Sequence, residues 1–173
     1  MTEHDPATDR MTGPVTGPRS PGRPVRQLLV AVAVAMVVVL LDQFTKAWAV
    51  HRLANGSIHV AGPLSFSLTY NTGSAFSLFT GRPALVATLA LGLVAFLVVL
   101  AWRAASPARA AILGLILGGA LGNLADRAFR PTHGGVVDFV SLSFWPTFNL
   151  ADSCVVVGSI LLAASFLWRP AAR

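Results

Sequence analysis

The sequence predicts an all-α membrane protein with four transmembrane helices and a small extracytoplasmic β-sheet and loop subdomain. Three observations support this fold class. Of the 173 residues, 54% are hydrophobic and only 12% are charged, and four long apolar segments follow one another along the chain. So few charged side chains cannot coat a water-soluble globule of this size. We therefore expect the chain to fold in a lipid bilayer.

The apolar segments divide the chain into a tail and one membrane domain. Residues 1–26 hold five prolines and three glycines, a composition that predicts a disordered cytoplasmic tail. The apolar segments are near the ~20 residues that a helix needs to cross the hydrocarbon layer. We expect residues 27–168 to form a four-helix transmembrane domain and residues 169–173 to form a cytoplasmic C-terminus. The segments cover residues 28–50, 84–102, 110–125 and 150–168.

A cleaved signal peptide is the competing interpretation of the first segment. A basic tail precedes a short apolar core there, and Ala47-Trp48-Ala49 resembles a small-x-small cleavage site. However, Asp42 and Lys46 stand between the apolar core and this site, where they would serve a signal peptide no purpose. We therefore favour a retained transmembrane helix.

The arginines predict the orientation of the helices. They flank the ends that the positive-inside rule assigns to the cytoplasm, so we expect both termini to be cytoplasmic. Two outer loops then remain, at about residues 51–83 and 128–149. Within the first, residues 65–70 alternate polar and apolar side chains before a turn-like Asn-Thr-Gly, which predicts a strand. The arginines that decide this are Arg10, Arg19, Arg23, Arg26, Arg103, Arg109, Arg169 and Arg173.

Beyond the tail, every acidic residue is an aspartate. The four are Asp42, Asp126, Asp138 and Asp152, and the predicted topology brings all of them close to the outer water interface. An ionisable side chain within a membrane helix costs on the order of 2.5–3.5 kcal/mol at the helix centre, so such residues indicate a functional site. This convergence predicts a site at the outer ends of the helices.

A structural role competes with a catalytic one at several of these positions. Asp42 and Lys46 stand four residues apart, which places them on one helix face and allows an internal ion pair. Asn123 and Arg127 have the same spacing, and for these four residues both roles stay open. Asp138 and Asp152 have no basic residue at helical spacing, so for this pair we favour catalysis.

The remaining inventory excludes several kinds of hydrolytic site. The chain has no His-Glu-x-x-His motif, no Gly-x-Ser-x-Gly motif and one cysteine, Cys154, so we expect no metal site. Two neighbouring aspartates cannot both ionise cheaply, and one of them stays protonated. The ionised member can take a proton from water, while the protonated member polarises the peptide carbonyl. Which aspartate holds the proton stays open.

Five motifs, in order between about Arg26 and Trp168, resemble the lipoprotein signal peptidase family, also called signal peptidase II. The last two correspond to the segments that carry the catalytic aspartates of that family, and they contain Asp138 and Asp152. Five motifs in order leave little room for coincidence. They occupy residues 42–46, 71–76, 118–127, 136–139 and 148–152.

The resemblance implies a membrane aspartic endopeptidase without a cofactor. It would remove the signal peptide from bacterial prolipoproteins, cutting just before the lipobox cysteine that already carries diacylglycerol, and globomycin would inhibit it. It would reside in the bacterial cell membrane, among membrane lipid, with its active site near the outer face. The resemblance also implies a set of residues that bind substrate or support the site: Asn71, Gly73, Asn123, Arg127, Asn149, Asp42 and Lys46.

Two features depart from the family pattern. The proline- and glycine-rich tail is long, and only thirteen residues separate Asp138 from Asp152, which puts the shape of the second outer loop in question. We expect a monomer. We also expect no nucleic-acid binding despite the net charge of +6, because the basic residues form no cluster interleaved with aromatic residues.

Three alternatives to an aspartic peptidase stay open. A small transporter or channel would place its polar residues near the middle of the membrane rather than at the outer helix ends. A serine-lysine peptidase would use Lys46 with Ser65, Ser67 or Ser74 and would make the aspartates dispensable. A purely structural membrane scaffold would be inactive toward any lipoprotein precursor.

Overall fold

The computed structural model describes residues 22–72, 83–130 and 135–167. Over these residues the chain forms four helices and four strands. Residues 1–21 of the predicted tail lie outside the described residues, and so do Gly73 and Ser74. The elements are α1 (Arg23–Arg52), β1 (Ile58–Ala61), β2 (Leu64–Asn71), α2 (Pro83–Trp102), α3 (Pro107–Phe129), β3 (Val136–Leu142), β4 (Trp145–Phe148) and α4 (Leu150–Leu167).

Helix α1 begins at Arg23, four residues before the predicted start of the membrane domain at residue 27. A proline stands in the first turn of this helix. Proline is well tolerated there, because the first backbone N–H groups of a helix have no intrahelical partner and the ring fixes a helical φ. The proline-rich composition that predicts a disordered tail therefore extends into the first turn of α1.

Three of the described helices, α1, α3 and α4, are long and apolar enough to cross a membrane. Helix α2 is apolar over Thr88–Trp102, a shorter stretch. Large apolar side chains are exposed on the helices, among them Phe44 at 73% and Leu40 at 67%. Contiguous apolar surface of this kind suits contact with lipid. The mostly helical membrane architecture is confirmed, while a fourth span through α2 stays a prediction.

Helix α3 packs closely against two of its neighbours through glycines. A Cβ added at Gly114 would lie 2.5 Å from the backbone oxygen of Ala31 in α1, and one added at Gly119 would lie 2.5 Å from that of Ala151 in α4. Small residues allow helix backbones to approach in this way in membranes. Helices α1 and α4 are thereby held close to α3.

Replacing Gly119 with alanine is expected to destabilise the protein by about 1–3 kcal/mol, because the new methyl group would overlap the backbone of Ala151. Gly92→Ala in α2 is the matched control, since a Cβ at Gly92 meets nothing within 4 Å. Thermal unfolding in detergent measures both. Equal melting temperatures for the two variants would show that α3 and α4 are not in close contact at Gly119.

The strands form one antiparallel sheet in the order β1-β2-β3-β4. The predicted strand at residues 65–70 lies within β2, and the small sheet is confirmed. Asn71 at the end of β2 pairs with Val136, and Thr69 pairs with Asp138. This register brings the end of β2 beside the start of β3, which carries Asp138.

An aromatic cluster seats the sheet on the end of α1. The ring of Trp48 lies 5.6 Å from that of Phe66 in β2 and 6.2 Å from that of Phe139 in β3, both in edge-on geometry. Such aromatic pairs contribute about 0.5–1.5 kcal/mol beyond the area that they bury. Because Phe139 follows Asp138 directly, the cluster helps to fix the position of Asp138 relative to the end of α1.

Candidate active site

Asp138 lies in β3 with only 2% of its surface exposed. One carboxylate oxygen, Oδ1, accepts a hydrogen bond from Nδ2 of Asn149 at 2.7 Å. The other, Oδ2, accepts one from Nδ2 of Asn71 at 3.0 Å. The structure therefore brings two of the predicted supporting residues directly onto this carboxylate.

Asp152 lies in the first turn of α4, and a reciprocal cap holds it. Oδ1 of Asn149, the residue before the helix, accepts from the backbone N–H of Asp152 at 2.9 Å. Oδ2 of Asp152 accepts in return from the backbone N–H of Asn149 at 3.2 Å. This is the geometry of a capping box. The other oxygen of Asp152 accepts from Nδ2 of Asn123 in α3 at 2.8 Å.

Asn149 joins the two aspartates. Its side-chain amide donates to Asp138, its backbone N–H donates to Asp152, and the residue is fully buried. The two carboxylates are close enough that the charge of Asp152 acts on Asp138. The structure thus brings the predicted pair together at one end of the helix bundle.

Burial raises the pKa of Asp138 to about 6, and the negative charge of Asp152 adds to the effect. Hydrogen bonds from Asn71 and Asn149 act in the opposite direction, because they stabilise the ionised form. An ordinary aspartate has a pKa of about 3.9. Asp138 therefore exchanges its proton closer to neutral pH than an ordinary aspartate does.

The raised pKa predicts how stability depends on pH. The folded protein binds the Asp138 proton more tightly than the unfolded chain does, so this group favours folding most below about pH 4. That contribution, at most roughly 3 kcal/mol, is lost as the pH rises through about 6. We expect Asp138→Asn to melt several degrees above the wild type at pH 7.5 and close to it at pH 4. A melting difference that is the same at both pH values would contradict the raised pKa.

Lys46 is fully buried beside the pair. Its ammonium contacts Oδ2 of Asp42 at 2.8 Å, Oδ2 of Asp126 at 3.1 Å and Oδ1 of Asn123 at 2.9 Å. These three acceptors match the three N–H donors of an ammonium group. A serine-lysine peptidase needs a neutral lysine as its base, so the arrangement disfavours that alternative.

Two further contacts tie this cluster to the aspartate pair. Oδ1 of Asp42 accepts from the backbone N–H of Ala151 at 3.0 Å. Oδ2 of Asp126 accepts from the backbone N–H of Val137 at 3.0 Å. The structure thus adds Asp126 to the residues at the site, a residue that the sequence analysis placed near the outer interface without assigning it a role.

Gln43 and Arg130 complete the cluster, and both are also additions to the predicted set. Nε of Arg130 contacts Oδ1 of Asp126 at 3.0 Å, and its Nη2 donates to Oε1 of Gln43 at 2.9 Å. Nε2 of Gln43 donates to the same oxygen of Asp126 at 3.1 Å. The four-residue spacing of Asp126 and Arg130 is the signal in the sequence that could have revealed this part of the site.

Arg127 is electrostatically coupled to both Asp152 and Asp138. Its guanidinium also donates weakly to the backbone oxygen of Asn123 at 3.4 Å. Gly73 lies outside the described residues. Within residues 22–72, 83–130 and 135–167, no three His, Cys, Asp or Glu side chains gather as metal ligands would.

Comparisons with known proteins agree with this architecture. Residues 34–168 match the family model described as signal peptidase (SPase) II. A lipoprotein signal peptidase of Mycolicibacterium smegmatis is 42% identical over 93% of this chain and 74% of its own length. That of Mycobacterium tuberculosis is also 42% identical, over 91% of this chain and 81% of its own. That of Syntrophomonas wolfei is 44% identical, over 73% and 85%.

Solved structures agree as well. One, described as a bacterial membrane enzyme determined by the in meso method at 1.9 Å, superposes with a TM-score of 0.68 and 27% identity. The match covers 81% of this chain and 94% of that one. A second, described in the same way at 2.3 Å, has a TM-score of 0.67 and 28% identity, over 79% and 87%. These likenesses and the apolar helices establish a multi-pass membrane protein, and the chain belongs to the signal peptidase II family of peptidases.

Proposed function

We propose that this chain is an aspartic endopeptidase that removes the signal peptide from diacylglyceryl-modified prolipoproteins, cutting just before the lipidated cysteine. The observation that carries the proposal is the pair of carboxylates that Asn149 joins, Asp138 and Asp152. Family membership supports the cleavage of lipoprotein precursors. The geometry supports the aspartic type.

The chemistry follows from a shared proton. The ionised aspartate takes a proton from a water molecule as the water oxygen attacks the carbonyl carbon of the scissile bond. The protonated aspartate polarises the carbonyl oxygen and then gives its proton to the leaving amide nitrogen as the C–N bond breaks. Burial and the charge of Asp152 favour Asp138 as the member that holds the proton before the attack.

The position of the pair suits a lipid-modified substrate. Asp42 and Lys46 lie toward the C-terminal end of α1, Asn123 toward that of α3, and Asp152 at the start of α4, so these residues share one end of the bundle. The arginine pattern supports four spans with this end at the outer face of the bacterial cell membrane and with both termini cytoplasmic. The acyl chains of a diacylated cysteine could then stay in lipid while the peptide bond reaches interfacial water.

The proposal is tested with the purified protein in detergent and two forms of one precursor. We expect the diacylglyceryl-modified prolipoprotein to be cleaved, as a gel shift shows, and the unmodified precursor to stay intact. Globomycin should block the reaction. Equal cleavage of both forms would contradict the proposed substrate class, and no cleavage of either would contradict the peptidase assignment.

A further inference from the structure

We propose that Asp42 and Asp126, held together by Lys46, are positioning residues that set the separation of the two catalytic aspartates. We call these three residues the backbone clamp. The inference rests on the proposed aspartic mechanism. It assigns to Asp126 a role different from that of the two catalytic aspartates.

Each carboxylate of the backbone clamp holds the residue directly before a catalytic aspartate. Asp126 accepts the backbone N–H of Val137 at 3.0 Å, and Val137 precedes Asp138. Asp42 accepts the backbone N–H of Ala151 at 3.0 Å, and Ala151 precedes Asp152. The strand and the helix that carry the catalytic residues are therefore each held by a hydrogen bond from the residue directly before the catalytic aspartate.

Lys46 contacts both of these carboxylates. Its ammonium lies 2.8 Å from Asp42 and 3.1 Å from Asp126, and all three side chains have 0% exposure. Hydrogen bonds to ionised groups are shorter and roughly twice as strong as neutral ones, and the buried surroundings screen them little. Val137 and Ala151 cannot move apart unless one of these contacts breaks. The backbone clamp thus connects β3 to α4 through α1 and α3.

The contacts of Asp126 leave it no part in proton transfer. Its Oδ1 accepts from Gln43 and contacts Arg130, and its Oδ2 accepts from Val137 and contacts Lys46. Both oxygens of Asp126 are thus occupied by donors of the protein, and its side chain has 0% exposure, so it is placed to hold the backbone of β3 rather than to meet a water or a substrate.

The first test is amide hydrogen exchange on the wild-type protein. Ala151 is the second residue of α4, and the early N–H groups of a helix have no intrahelical partner. We expect the Ala151 amide to be protected at least about tenfold over that of Ala108, the second residue of α3. Equal exchange rates at the two amides would contradict the hydrogen bond from Ala151 in α4 to Asp42.

The second test uses two nearly isosteric variants in a crossed design. Asp126→Asn should speed exchange at Val137 and leave Ala151 unchanged, and Asp42→Asn should do the reverse. Arg109→Gln is the control, because it changes the net charge by one and removes a hydrogen bond between α3 and α4, at 2.9 Å to the backbone oxygen of Ser165, in the first turn of α3 and away from the backbone clamp. Faster exchange at both amides in every variant would indicate general loosening and would overturn the proposal.

Kinetics then separate positioning from simple stability. At matched folded fraction, each Asp→Asn variant should lower kcat about 10- to 100-fold with KM changed less than threefold, since a misplacement of about 1 Å can cost ~10²-fold. Arg109→Gln should change kcat less than threefold. An unchanged kcat in Asp126→Asn, or an equal loss in Arg109→Gln, would overturn the role. Because the exchange results do not depend on cleavage, an inactive wild type would contradict the proposed function and leave the clamp separately tested.

Discussion

Replacing Asp138 or Asp152 with asparagine is expected to lower the rate of prolipoprotein cleavage by at least ~10³-fold. An asparagine amide can neither take a proton from water nor give one to the leaving nitrogen, and general acid–base catalysis contributes about 10²–10⁴-fold per group. At position 152 the amide oxygen still allows the hydrogen bond from the N–H of Asn149, so the start of α4 should persist. Cleavage of a lipid-modified precursor, followed by gel shift, measures the loss.

The double variant gives a further check. Because the two carboxylates act as one unit, Asp138→Asn combined with Asp152→Asn should be about as slow as either single variant. Ser65→Ala and Ser67→Ala in β2 are the controls and should keep wild-type rates. Normal cleavage by either aspartate variant would refute the dyad. Loss of cleavage in Ser65→Ala or Ser67→Ala, together with normal cleavage in the aspartate variants, would favour the serine-lysine alternative.

Replacing Lys46 with methionine is expected to destabilise the fold by about 3–5 kcal/mol, because methionine fills much of the volume but removes the buried cation. Asp42 and Asp126 would then face each other without their shared partner, and an uncompensated buried charge costs about this much. With a typical stability of 5–15 kcal/mol, such a loss can abolish folding. We expect little folded Lys46→Met protein in the membrane fraction.

The matched comparison is Arg130→Gln, which removes the other cation of the cluster. Arg130 is 20% exposed, so water can partly replace its contacts, and ion pairs near the surface contribute about 0–1 kcal/mol. Thermal unfolding in detergent should therefore rank Lys46→Met far below Arg130→Gln. Similar melting temperatures of the two variants would mean that the carboxyl groups of Asp42 and Asp126 are not both ionised.

Much of this arrangement could be predicted because it depends on local pattern. Hydropathy predicts the helices, and alternation predicts the strand within β2. The cost of charge in lipid directs attention to the aspartates. The cap between Asn149 and Asp152 is also local, and the Asn-x-x-Asp spacing before an apolar helix is a signal that sequence analysis could have used.

The rest depends on contacts between distant segments. Asp42 meets the backbone of Ala151, 109 residues away, and Asp126 meets that of Val137 in a strand that no alternation predicts. In β3 every residue from Val136 to Phe139 is buried, so polar and apolar residues do not alternate along this strand. Backbone N–H partners leave no trace in the side-chain pattern. The spacing of ionisable residues therefore favoured catalysis at Asp138 and Asp152 but could not predict which backbone groups Asp42 and Asp126 hold.

The central claim is that Asp138 and Asp152 act as one coupled pair. Carbon-13 NMR of the carboxyl carbons measures this directly, by following the titration of Asp138 in the wild type and in Asp152→Asn. We predict a pKa of about 6 for Asp138 in the wild type. In the variant we predict a lower value, still above the ordinary range because burial persists. A pKa that is unchanged in Asp152→Asn would show that the two carboxylates do not sense each other, and it would contradict the account.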